Sequence, residues 1–162
     1  MSLWDVRAQG WKEALCSVSP GVRRSVSVDV ISGSLRFFRP SFDSVFSAET
    51  VRFVKSVLES ARSECVDQVE ADRISTRLYS LLDEDPAIGI ASLVAALSLF
   101  FDCAAAEFDV DSVLEIMSSC YEAVLHSEGI SQEVLDSGSD NENCSHLIDF
   151  QRGVIERASS VR

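Results

Sequence analysis

Apolar residues recur at helical spacing along most of this 162-residue chain. Ser2 stands as an N-cap ahead of Trp4, Ala8, Trp11 and Leu15, whose intervals of 4, 3 and 4 make one helical stripe. Ser19-Pro20 reads as an N-cap followed by proline at the first helical position. The next segment has two readings. Val22, Val26 and Val30 fit a helix ending at Ser32-Gly33, whereas Val26, Val28 and Val30 alternate with Ser27 and Asp29 as a strand would. Helix is preferred here, and a short hairpin over residues 24–38 is the alternative.

Arg39-Pro40-Ser41 breaks the pattern, and Phe42 and Phe46 tuck a short turn into the core. Ser47 caps a helix whose stripe is Val51, Val54, Leu58 and Ala61. A further helix, from about Val66 to Leu82, turns Val69, Ile74, Leu78 and Leu81 inward. Asp85-Pro86 opens a helix over residues 86–106 that is apolar nearly all round and so should be buried on most sides. Asp109 opens another, with Val113, Met117, Cys120 and Val124 inward. A polar loop over residues 136–143 leads to a last helix near Cys144–Ser160, carried by Leu147, Phe150, Val154 and Ala158. These spacings predict about seven helices and an all-α, single-domain bundle over residues 1–162, built around the helix 86–106.

Charge changes this picture most between Leu78 and Gln151, where fifteen carboxylates occur without one lysine or arginine. Residues 1–40 hold six basic residues against three acids, whereas the rest of the chain holds 8 basic and 23 acidic groups. A folded surface of one sign attracts partners of the other. The pattern therefore points to a basic partner and away from nucleic acid or an anionic membrane, both of which need clustered Lys and Arg. Residues 86–101 are uncharged. At ~1.5 Å per residue they reach only about 24 Å against a hydrocarbon core of roughly 30 Å, so a buried helix is the better reading. The five cysteines are odd in number and lack CxxC spacing, which suits reduced thiols in a cytoplasmic protein. Asp5, Arg7, Lys12 and Glu13 interrupt the apolar run that an export signal would need.

The clearest candidate surface is the outer stripe of the Asp109–His126 helix. Asp111, Glu115, Ser118 and Glu122 lie there at intervals of 4, 3 and 4, with no base on the helix to offset them. With Asp83, Glu84 and Asp85 in the preceding turn, Asp111, Glu115 and Glu122 are the expected partner-binding residues. A solvated face that keeps the protein soluble is the plainer explanation for any single helix. Asp136, Asp140 and Glu142 do not match EF-hand spacing, and Cys144 with His146 supplies two of the four ligands that zinc wants. No metal or cofactor is expected. GxSxG, HExxH, P-loop and GxGxxG motifs are absent, so the chain is read as a non-enzyme.

The helix order carries a resemblance. Trp11-x-x-x-Leu15 precedes a proline-started helix. The small-residue helix Ala87-Ile-Gly-Ile-Ala-Ser-Leu-Val-Ala-Ala-Leu97 is followed by an amphipathic one, and His146-Leu-Ile-Asp-Phe-Gln151 lies in the final helix. This resembles the small acidic helical immunity proteins of bacterial polymorphic and contact-dependent toxin systems. The resemblance implies a cytoplasmic inhibitor that binds one cognate toxin domain, often a basic nuclease, and blocks its active site or substrate groove. A helical scaffold or adaptor, self-associating or not, is the alternative from a different class. It calls for an exposed apolar groove or dimer face.

Overall fold

The computed structural model describes residues 1–63, 65–129 and 142–160. Among the described residues there are nine α-helices, one 3₁₀ turn and no strand. The helices are α1 (Leu3–Arg7), α2 (Trp11–Cys16), α3 (Pro20–Ser34), α4 (Phe42–Val45), α5 (Ala48–Ser63), α6 (Gln68–Glu84), α7 (Ile90–Ala105), α8 (Val110–Ser127) and α9 (Glu142–Ser160). One apolar cluster runs through all of them.

Most helix starts are where side-chain oxygens can take the orphan amides of the first turn. Ser2 and Asp5 form a reciprocal capping box on α1. Ser19, Ser47, Asp67 and Asp109 accept from the amides of Val22, Thr50, Glu70 and Ser112. The two helices beyond the expected seven have simple causes. The first stripe is split into α1 and α2 because Gly10 adopts φ +88, a left-handed conformation that ends one helix and starts the next at a new angle. The short turn at Phe42 closes one helical turn of its own, α4.

Residues 24–38 form no hairpin. They continue α3 to Ser34 and then a 3₁₀ turn over Leu35–Phe37. The strand-like alternation arises because α3 is covered on several sides, by α5, α7, α8 and α9, so that Val26, Val28 and Val30 are all buried. Two further expectations are corrected. Val69 points out, 80% exposed, and Ala71 takes its place in the core. The central helix starts at Ile90 with Gly89 as its N-cap, because Asp85 is extended and its carboxylate is engaged elsewhere.

α7 lies between α6 and α8, with α3 behind it, and α8 also packs on α2, α3 and α9. The core role is thus shared by α7 and α8. A buried polar clamp ties the chain ends to this centre: Trp4 Nε1 donates to Gln151 Oε1 at 2.8 Å, and Gln151 Nε2 donates to the Met117 carbonyl at 2.9 Å.

Candidate functional site

α7 is not covered all round. Ala91, Ala95 and Asp102 are exposed and Leu99 is half-buried, at intervals of 4, 4 and 3 along one side of the helix. This narrow stripe floors a groove of about 340 Å³. Tyr79 and Leu82 of α6 form one wall, and Glu115 of α8 stands on the other. Large apolar side chains are left exposed at six described positions, and three of them, Tyr79, Leu82 and Ile88, lie on this wall or in the turn leading into α7. Such clustering, unlike scattered exposure, marks a contact surface. Ser98 also lines the groove, and its hydroxyl has no hydrogen-bond partner among the described residues.

Two contacts fix how α8 runs beside the groove. Ser92 Oγ and His126 Nδ1 are 3.5 Å apart, and a Cβ on Gly89 would come within 2.7 Å of the Ala123 carbonyl oxygen. Glu115, Glu122 and His126 share one side of α8 at intervals of 7 and 4, with Glu115 lining the groove and His126 beside Ser92 of α7.

The six candidate acids divide sharply. Asp85 is buried at 4% exposure. Its carboxylate accepts from the Ser47 amide at 2.9 Å, the Thr50 hydroxyl at 2.7 Å and the Ala87 amide at 3.0 Å. Burial pushes its pKa up, but these hydrogen bonds outweigh it and hold the carboxyl below its usual range. It clamps the end of α6 to the start of α5 and is not available to a partner. Glu84 pairs with Arg77 at 2.8 Å, and Arg77 also holds Glu49. Asp111 accepts from Lys12 at 2.9 Å across 99 positions of sequence. Asp83, Glu115 and Glu122 are exposed and have no ion pair among the described residues.

Of these three only Glu115 lines the groove; sequence spacing missed Asp102, which lines it too and has no ion pair among the described residues, and it missed the apolar residues Tyr79, Leu82, Ala91 and Ala95. A signal was present: Tyr79 and Leu82 fall outside the α6 stripe of Ile74, Leu78 and Leu81. Elsewhere the base-free run is largely engaged. Asp109 caps α8, and Asp149 lies near Arg7 and Arg152 at 3.8 and 3.1 Å. Glu133, Asp136 and Asp140, and the metal spacing considered there, lie outside the described residues.

Among the described residues no three His, Cys, Asp or Glu side chains gather as a metal site would require. None of the five cysteines forms a disulfide among the described residues. Burial pushes the Cys120 and Cys144 thiols up to about 12, which leaves them unreactive at neutral pH. No described helix is long and apolar enough to cross a membrane. Compared with protein-family models, curated proteins and solved structures, the chain matches none.

Proposed function

We propose that this chain is a non-enzymatic inhibitor of the immunity type, and that the α6–α8 face receives a basic protein partner. One observation carries the reading: exposed carboxylates without an ion pair among the described residues flank a groove that also exposes Tyr79 and Leu82. Asp102 and Glu115 line it, and Glu122 follows along the α8 wall. In this reading Asp and Glu side chains compete for the Lys and Arg that a nuclease uses on phosphates. Such complementarity raises association rates by orders of magnitude and weakens as salt rises. The toxin identity of the partner rests on the helix-order resemblance alone.

The test is a double charge reversal, Glu115→Lys with Glu122→Lys. We expect partner binding, and protection from a cognate toxin, to fall and to lose most of its salt dependence. Unchanged binding with unchanged salt dependence would remove this face as the interface.

The apolar floor of the same groove favours a second reading, a helical adaptor that self-associates. Light scattering on a sizing column separates the two. A monomer at low and high salt suits the inhibitor, and a salt-insensitive homodimer suits the adaptor.

A further inference from the structure

We infer that the α6–α8 groove takes a single amphipathic helix, apolar on one face and basic along one flank only, supplied by the partner. This deepens the reading above and rests on it for the existence of a partner. The floor from Ala91 to Asp102 runs about 16 Å, or roughly three helical turns. Its first half is small and apolar: Ala91 and Ala95 lie one turn apart and leave space above them, before Leu99. Bulky side chains at i and i+4 of an incoming helix match that spacing, as in other helix-in-groove contacts.

The two walls differ in kind. Tyr79 and Leu82 on α6 offer apolar surface, while Glu115 and Glu122 on α8 offer charge. An incoming helix is therefore fixed in rotation, with its apolar face against α6 and α7 and its Lys or Arg side chains towards α8. Glu115 and Glu122 are seven residues apart on α8, so matching bases sit roughly two turns apart. A second copy of this chain fits less well, because the described helix richest in exposed bases, α5 with Arg52, Lys55 and Arg62, already buries its apolar face in its own core.

A fluorescein-labelled synthetic helix of about 18 residues, long enough to hold helical structure, serves as probe. It carries Leu at i, i+4, i+7 and i+11 and Lys along one flank. A second peptide has the same composition in scrambled order, and a third has Gln in place of every Lys. We expect saturable anisotropy binding of the patterned peptide, weakened by salt. The double replacement Ala91→Gln with Ala95→Gln fills the floor without changing charge and should weaken binding roughly tenfold or more. Circular dichroism checks that this variant folds. Should it not, Tyr79→Ser at the exposed wall gives the same comparison.

Equal binding of the scrambled peptide would overturn the groove and leave the acidic-face reading standing. Equal binding of the Gln peptide would overturn the basic flank, and the basic-partner reading with it. Absence of saturable binding, or an affinity unmoved by both floor and wall variants, would overturn the inference outright. A homodimer broken by the floor variant at any salt would assign the groove to a second copy instead.

Discussion

Asp85 illustrates how one carboxylate of an acidic run can serve the fold alone. Three donors converge on it, and each would be stranded in a partly buried setting if the side chain were removed. Asp85→Ala should therefore cost about 2–3 kcal/mol in a denaturant titration, given the strength of hydrogen bonds to charged groups. The pH dependence follows from the direction of its shift. The folded carboxyl titrates below the unfolded value of roughly 3.9, so its stabilisation is complete above that pH and is lost as pH falls through the folded pKa. The gap between wild type and Asp85→Ala should stay constant above about pH 4 and shrink below it. A gap that is flat down to strong acid would mean that the carboxylate is not the stabilising form. By contrast, Lys12 and Asp111 are both exposed, and a pair of that kind contributes little to stability.

The helices were legible as elements because a 3.6-residue period survives without knowledge of neighbours. Caps at Ser2, Ser19, Ser47 and Asp109 marked the starts, and the structure uses all four. What stayed hidden depends on packing. Nothing in the run Ala87–Leu97 distinguishes an alanine facing a neighbouring helix from one facing water, so the open stripe of Ala91 and Ala95 read as core. Nor does spacing reveal that Lys12 would cross from α2 to meet Asp111 on α8. Val69 was expected inward, yet it stands five residues before Ile74, roughly 140° round the helix, whereas Ala71, three residues before Ile74, falls on the buried side.

The close approach of α7 to α8 belongs to this scale as well. A Cβ on Gly89 would meet the Ala123 carbonyl oxygen, a backbone atom that cannot swing aside. Gly89→Ala should destabilise by about 1–3 kcal/mol, as overpacking does. It should also weaken binding at the groove, since α7 supplies the floor and α8 a wall. Gly21→Ala, whose Cβ would meet only Ser19 Oγ at 3.8 Å, is the control and should be neutral or stabilising. Thermal melts of both variants check this, and equal melting temperatures would contradict the tight α7–α8 contact.

For the molecule as a whole, net charge −12 is less informative than its distribution. Bases near the chain start are used to tie helices together: Arg23 donates to the carbonyls of Phe108, Leu15 and Val18, and Lys12 reaches Asp111. Among the described acids of the second half, Asp109 caps a helix, Asp111 and Asp149 meet bases from near the chain start, and Asp102 and Glu115 stay without an ion pair at the α6–α8 groove, as Glu107 and Glu156 do elsewhere. What sets Asp102 and Glu115 apart from the other unpaired acids is that they coincide with exposed apolar surface, that of Tyr79 and Leu82. That coincidence is the basis for reading the face as an interface.

The most direct test is to immobilise the folded chain, pass over it an extract of the cells that make it, and compare three proteins at low and high salt. These are the wild type, Glu115→Lys with Glu122→Lys, and Glu59→Lys with Glu156→Lys, a pair of equal charge change on exposed sites of α5 and α9. The expected result is a basic protein retained at low salt by the wild type and by the α5/α9 variant, released by high salt, and not retained by the α8 variant. Equal retention by both variants, or equal loss from both, would contradict a specific acidic interface on the α6–α8 face.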